Sequence, residues 1–166
     1  MILKRIYEKF FPLKAGIKKG MEVGKGVSLV SPTSTYLGLE PYLVTLGNYV
    51  RISGGVCFCT HDGGTWAFRN QEKYLGVGKF GRISIGDYTF IGMRAIIMPG
   101  VTIGKHCVIG ACSLVTKDVP DGHVVAGNPA KIICTTEEYA RRCKESMPKG
   151  MLEDKSKLKE KLLKYY

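Results

Sequence analysis

The first histidine of the chain lies in a stretch whose side chains can do chemistry. Residues 57–66 read CFCTHDGGTW, which brings two cysteines, His61, an acid and the only tryptophan close together. A histidine there can act as a base, bind a metal or serve as a polar turn residue. Every second residue from 57 to 61 could bind a metal: Cys57, Cys59 and His61. The six cysteines of the chain contain no CxxC pair, however, so the sequence gives little support for a metal site. The role of His61 therefore depends on the elements around it.

The composition limits the class of protein. The 166 residues are 45% hydrophobic and 23% charged, which predicts one globular domain with a sizeable core. Charges break the apolar stretches, so we expect neither a secretory leader nor a membrane-spanning segment. The cysteines then fit a cytoplasmic protein with reduced thiols. The net charge of +11 indicates anionic partners, but without a supporting motif we expect no nucleic acid partner.

Much of the positive charge lies at the N-terminus. Residues 1–20 contain six lysines or arginines and one glutamate, with apolar residues at helical spacing. This pattern predicts an amphipathic helix over residues 1–16. Its apolar face either packs on the rest of the protein or lies on a membrane surface, so peripheral membrane contact through this basic helix is one of two open arrangements.

A six-residue period runs through the middle of the chain. Residues 85–120 read IGDYTF, IGMRAI, IMPGVT, IGKHCV, IGACSL and VTKDVP, with Ile or Val first and a small or β-branched residue fifth. Four of these hexads have glycine second, where we expect it to permit a sharp corner. The period fits a β-solenoid in which each hexad forms one flat side and the first and fifth positions stack inward.

The period also shows where the solenoid begins and where it is interrupted. Earlier hexads start at Leu46, Ile52 and Phe58, and weaker ones at Ile17, Val23 and Leu29. The pattern stops after Phe58, so a loop is predicted at about 62–82, with His61 at its root. Thr135 and Glu138 have capping-box spacing, which predicts a helix start. We expect a single domain: a helix over 1–16, the solenoid over 17–134 and a helical tail over 135–166.

These hexads resemble the left-handed parallel β-helix of the hexapeptide-repeat acyltransferases. The resemblance covers residues 17–134. It is greatest in IGACSLVTKDVPDGHVVAGNPAK, which is similar to the closing coils of acetyl-CoA-dependent sugar and xenobiotic O-acetyltransferases. It implies an all-β solenoid, a left-handed parallel β-helix with a projecting loop, flanked by short N- and C-terminal helices. It also implies a homotrimer with active sites between subunits, acetyl-CoA as acyl donor and no metal.

The resemblance assigns roles to individual residues. In that family one histidine, at or just before the projecting loop, is the general base, and His61 occupies this place. One imidazole suffices because the thioester is already activated and only the hydroxyl proton must be removed. By motif position the resemblance implies CoA contacts for Met93, Ala111, Thr116, Lys117 and Lys131, with the lysines at the phosphates. A family arginine three places after Lys131 is a cysteine here, so that phosphate contact is not predicted.

The loop offers side chains for the acceptor. Trp66, Arg69 and Tyr74 either stack on a sugar ring and pair with an anionic group, or pin the loop to a neighbouring subunit. The expected function is acetyl transfer from acetyl-CoA to a hydroxyl of a sugar or polysaccharide precursor. The alternatives are transfer to a sugar amine and a non-catalytic solenoid scaffold. The histidines, 45 and 17 residues apart, lack the spacing of zinc-binding solenoid carbonic anhydrases.

Overall fold

Residues 6–7, 10–148, 150–153 and 155–165 are described by a computed structural model. The chain divides into two compact units, Met1–Thr136 and Glu137–Tyr166. The single-domain organisation expected from the sequence stays a prediction. Within the described residues, the helices are too short or too polar to cross a membrane.

Short, mostly parallel strands build the first unit. The first sheet contains β1 (Glu22–Val23), β3 (Val44–Leu46), β6 (Ile83–Ile85) and β9 (Thr102–Ile103). The second sheet contains β2 (Ser28–Leu29), β4 (Arg51–Ile52), β7 (Phe90–Ile91), β10 (Val108–Ile109), β12 (His123–Ala126) and β13 (Lys131–Thr135). The third sheet contains β5 (Cys57–Phe58), β8 (Ile96–Ile97) and β11 (Leu114–Val115). Among the described strands, β12 and β13 are the antiparallel pair.

The chain visits the three sheets in turn. In its later coils, paired residues are 18 positions apart, as in Ile85–Ile103, Ile91–Ile109 and Ile97–Val115. Each of these coils therefore contains three hexads, one for each sheet. Because the spacing is constant, equivalent positions of successive hexads stack on one another, which is how a repeat protein buries its apolar residues.

The first and fifth hexad positions form the core. Between residues 85 and 119 all of them are buried: Ile85, Thr89, Ile91, Ala95, Ile97, Val101, Ile103, Cys107, Ile109, Ser113, Val115 and Val119. Thr89 and Ser113 are the polar members of this set, and each has a backbone partner. The Thr89 hydroxyl donates to the carbonyl of Gly104 at 2.8 Å, and Ser113 accepts from the N–H of Gly127 at 3.2 Å.

The glycines at the second hexad positions do not make the corners, so that expectation is wrong. The corners use the fourth positions, where Tyr49, Tyr88, Arg94, His106 and Cys112 have φ between 53° and 57°. The glycines are needed for close packing between coils instead. A Cβ atom on Gly104 would lie 2.5 Å from the backbone nitrogen of Asp121, closer than real atoms approach.

A short helix precedes the first strand. Helix α1 (Pro12–Lys18) buries Ala15 and Gly16, and Gly16 lies against Met21. Ile17, where a weak hexad was expected, lies in this helix, so the strands begin only at Glu22. Residues 6, 7 and 10 are also helical, whereas residues 1–5 and 8–9 of the predicted helix lie outside the described residues.

The second unit consists of short helices. Helix α2 (Thr136–Ser146) begins directly after Thr135, in line with the capping-box spacing. The 3-10 turn Lys155–Lys157 and helix α3 (Leu158–Tyr165) follow.

Candidate active site

His61 and Glu40 form a hydrogen-bonded pair. His61 follows β5, and Glu40 lies directly before the 3-10 turn Pro41–Leu43. The Nδ1 atom of His61 is 3.0 Å from Oε2 of Glu40, and the side chains are 33% and 17% exposed. Since an ionised carboxylate only accepts hydrogen bonds, Nδ1 carries the proton and Nε2 keeps its lone pair. The neutral imidazole can therefore accept a proton through Nε2.

Thr60 and Gly38 fix the position of the carboxylate. The buried hydroxyl of Thr60 donates to Oε2 of Glu40 and accepts from the backbone N–H of Glu40 at 3.4 Å. Gly38 permits the two segments to meet. Its φ is 84°, and a Cβ atom there would lie 2.7 Å from Cγ2 of Thr60. A side chain at position 38 would therefore collide with Thr60, the residue whose hydroxyl holds the Glu40 carboxylate.

The surroundings of Glu40 keep it ionised. Burial alone raises the pKa of the carboxyl, but hydrogen bonds from Thr60 and His61 and the charge of protonated His61 outweigh it. The net effect lowers the Glu40 pKa from its ordinary value. The carboxylate is thus negative at neutral pH, and it favours the imidazolium that forms when His61 takes up a proton.

The pairing of the coils explains why Glu40 meets His61. Tyr36 and Cys57 form a parallel bridge on adjacent coils. Glu40 and His61 each follow their bridge residue by four positions, so they occupy equivalent places on the two coils. Sequence analysis missed Glu40, because the bridge that brings it beside His61 joins residues 21 positions apart and so departs from the 18-residue register of the regular coils.

The loop after His61 is closed at its base by backbone contacts. His61 and Phe80 form an antiparallel bridge, and their ring centroids are 5.9 Å apart. The N–H of Asp62 donates to the carbonyl of Lys79 at 2.8 Å, and the N–H of Gly81 donates to Thr60 at 3.0 Å. His61 is therefore held at the root of a projecting segment, as the sequence indicated.

Asp62 organises the loop and is not the partner of His61. Its carboxylate accepts from the N–H of Gly64 at 2.9 Å and lies 3.3 Å from the ammonium of Lys79. The Gly64 hydrogen bond and then Lys79 lower the pKa of Asp62. The Asp62 side chain thus stabilises the start of the 3-10 turn Gly63–Ala67.

The predicted acceptor residues separate into two groups. Trp66 is 73% exposed, and the guanidinium of Arg69 lies 4.8 Å from the centre of its ring. Tyr74 instead packs edge-on against Phe68, with the centroids 5.4 Å apart. Trp66 and Arg69 therefore form an exposed cation–π pair, and Tyr74 is not part of it.

Three of the five predicted CoA residues line one cavity. Thr116, Lys117 and Lys131 surround a space of about 360 Å³ between the end of β11 and the turn before β13. Met93 and Ala111 do not line it. Met93 and Ala111 precede β8 and β11, whereas Thr116 and Lys117 follow β11. The two groups therefore lie at opposite ends of the strands of the third sheet.

The other two histidines and the pair of Cys57 and Cys59 contact neighbouring protein groups. The ring of His106 stacks on Tyr88 at 5.2 Å with 1° between the planes, and Nδ1 of His123 is 2.8 Å from the carbonyl oxygen of Asp121. Burial and the neighbouring Cys59 raise the pKa of Cys57 to about 12. The Sγ atom of Cys57 also lies 3.7 Å from that of Cys59.

Comparison with known proteins defines the class. The family described as Bacterial transferase hexapeptide (six repeats) matches residues 82–117. Protein CapG of Staphylococcus aureus is 49% identical over 129 residues, covering 78% of this chain and 74% of CapG. The galactoside O-acetyltransferase of Escherichia coli (strain K12) is 40% identical over 97 residues, 57% of this chain and 45% of that enzyme. A solved maltose O-acetyltransferase from Clostridium difficile 630 aligns at TM-score 0.51 and 29% identity, covering 69% of this chain and 66% of that one.

The extent of these matches fixes the family. With nearly half of the aligned residues identical to CapG, the chain belongs to the bacterial hexapeptide-repeat transferases. Relatives from several organisms are named acetyltransferases, and the chain is accordingly an acyltransferase. It spans less than half the length of the galactoside enzyme.

Proposed function

We propose that the protein transfers an acetyl group from acetyl-CoA to a hydroxyl of a sugar or polysaccharide precursor, with His61 as general base. The observation that carries this proposal is the pair of His61 and Glu40, which leaves Nε2 of a partly exposed imidazole with a lone pair. Among the described residues, no protein group bonds to that atom. An acceptor hydroxyl is the natural partner for it.

In the reaction, His61 passes one proton from the acceptor hydroxyl to the leaving sulfur. Nε2 of His61 takes the hydroxyl proton while the acceptor oxygen attacks the thioester carbonyl carbon. The C–S bond then breaks, and the sulfur leaves as it receives that proton from the imidazolium. Glu40 holds the ring and stabilises its positive charge between the two transfers.

The cavity beside β11 is the proposed site for the phosphates of CoA. Lys117 and Lys131 provide the positive charge. Strands β5 and β11 are both paired with β8, so they lie two coil spacings, about 10 Å, apart. That separation lets the extended arm of CoA run from the cavity towards His61.

We also propose a left-handed β-helix that assembles as a homotrimer, with each CoA shared by two copies. The outer face of the third sheet carries Tyr36, Cys57, Ile96 and Leu114, whereas the first sheet exposes Glu22, Thr45, Ser84 and Thr102. The apolar face favours contact with a second copy. Such a contact would complete a binding site whose cofactor residues lie at both ends of the strands of this sheet.

A matched pair of variants tests the assembly. Ile96→Glu places a charge on the apolar face, and Ser84→Glu places the same charge on the polar face. We expect light scattering to show a trimer for the wild type and Ser84→Glu, and smaller species for Ile96→Glu. A wild-type monomer at micromolar concentration would contradict a shared site.

For the acceptor, the exposed pair of Trp66 and Arg69 supports a sugar with a nearby anionic group. A pyranose ring can stack on the indole while the guanidinium binds a carboxylate or phosphate. Two relatives are named for galactoside and maltose, which also supports a sugar.

A screen of sugars with acetyl-CoA, followed by thiol release, tests the proposed function. The expected product is an alkali-labile ester, which distinguishes a hydroxyl acceptor from an amine acceptor. Thiol release that no sugar raises above the rate of hydrolysis would contradict the proposal.

A further inference from the structure

The helix before the first strand exposes an apolar and basic surface. We call Phe10, Phe11, Lys14, Ile17 and Lys18 the N-terminal surface. Phe10, Phe11 and Ile17 are 55%, 49% and 52% exposed, unlike the buried Ala15 and Gly16 that face the coils. The helix thus packs Leu13, Ala15 and Gly16 against the coils, and it leaves Ile17, with Phe10 and Phe11 just before it, in contact with solvent.

Lysine side chains lie beside two aromatic rings of this segment. The ammonium of Lys14 is 5.4 Å from the ring centre of Phe11, and that of Lys18 is 5.1 Å from the ring of Tyr7. Residues 1–20, with six basic residues and one acidic, contribute +5 of the net +11. This positive charge favours an anionic partner. The exposed rings favour a partner that has an apolar layer beneath its negative charges.

We infer that the N-terminal surface docks on an anionic lipid bilayer. In such a complex the rings of Phe10 and Phe11 and the side chain of Ile17 enter the boundary between headgroups and acyl chains. Lys14 and Lys18 remain among the lipid phosphates. Lipid offers both chemistries on one continuous surface, whereas a nucleic acid offers no apolar layer for three large side chains.

Docking would also place the candidate active site near the membrane. Pro12, Ala15 and Gly16 line a cavity of about 190 Å³ together with the segment from Thr35 to Pro41, which contains Glu40. The docked helix is therefore in contact with the segment that supports His61, and acceptors held at the bilayer surface would lie within reach.

The test is co-sedimentation of the full chain with vesicles of phosphatidylglycerol and phosphatidylcholine, compared with phosphatidylcholine alone. We expect binding only to the anionic vesicles, weakening as salt is added. Lys14→Gln/Lys18→Gln should reduce the partition coefficient about 30-fold, because each lysine near an anionic surface is worth about fivefold. Phe10→Ser/Phe11→Ser should reduce it at least about tenfold through lost apolar contact.

A matched control removes the same charge elsewhere. Lys159→Gln/Lys164→Gln changes two exposed lysines of α3 and should leave binding unchanged. Thermal melting and light scattering check that each variant remains folded and assembled. Absence of binding to anionic vesicles would overturn the inference, as would equal losses in the control. Dissociation of an oligomer by Phe10→Ser/Phe11→Ser would instead assign this surface to self-association and overturn it.

Discussion

Replacing Glu40 with glutamine removes one charge from the candidate site while preserving its shape. The amide of Glu40→Gln can still accept a hydrogen bond from Nδ1 of His61, and it can still contact the hydroxyl of Thr60. What disappears is the negative charge opposite the imidazolium that forms during proton transfer. The variant therefore isolates the electrostatic part of the pair.

The geometry sets the size of the effect. At the 3.0 Å separation of Nδ1 and Oε2, Coulomb's law gives about 5.5 kcal/mol for two unit charges at an effective dielectric of about 20. Solvent reaches the 33%-exposed His61 side chain, and the amide dipole replaces part of the lost attraction. These two effects reduce the free energy lost on substitution to about half of the Coulomb value. The kcat of Glu40→Gln should therefore fall about 30- to 150-fold.

The assay is steady-state release of CoA thiol at saturating acetyl-CoA. Glu22→Gln is the matched control, because the Glu22 carboxylate also accepts a threonine hydroxyl, from Thr45 at 3.1 Å, but on the first sheet. Glu22→Gln should leave kcat unchanged. A fall of less than about threefold for Glu40→Gln, below the electrostatic range derived above, would refute the claim that the carboxylate stabilises the imidazolium.

The lowered pKa of Glu40 also predicts a pH dependence of stability. The ionised carboxylate is favoured in the folded state, so its contribution is present above the ordinary glutamate range. It is lost as pH falls through the lowered folded value. Urea unfolding should show the wild type more stable than Glu40→Gln at pH 7, with the difference shrinking in acid. A difference that grows in acid would contradict the direction of the shift.

Further predictions concern the cofactor and the coils. Lys117→Ala and Lys131→Ala should each raise the KM for acetyl-CoA about three- to tenfold in a salt-dependent way, with kcat little changed. Unchanged KM values would make them ordinary surface lysines. Gly104→Ala should lower the free energy of unfolding by about 1–3 kcal/mol, because the new Cβ meets the backbone of Asp121. Gly63→Ala, where a Cβ has open space, should be nearly neutral in the same urea titration.

The interior of the fold could be predicted because the period is strict where the coils are regular. Ile91, Ile97 and Ile103 are six residues apart in sequence and are all buried. The role of the glycines could not be read in the same way. Glycine suits both a corner and a close approach, and only the neighbouring coil shows that Gly104 serves the second purpose.

The supporting residue of the candidate site was hidden by an irregular coil. Residues paired between β1 and β3 are 23 positions apart instead of 18, because this coil contains the extra turns Pro32–Ser34 and Pro41–Leu43. Glu40 lies in that irregular part, so no six-residue spacing links it to His61. The position of His61 at the root of the loop was predictable, since an interruption in the period is a local feature of the sequence, and its role as general base stays a prediction.

The central claim is that His61 removes the acceptor proton, and His61→Ala tests it most directly. The variant should lose about 10² to 10⁴ in kcat, bind acetyl-CoA as the wild type does, and lose the acidic limb of the kcat/KM profile. His106→Ala and His123→Ala should stay near wild-type activity, because these side chains stack on Tyr88 and contact the Asp121 backbone. Full turnover by His61→Ala, with loss in either control, would contradict the account.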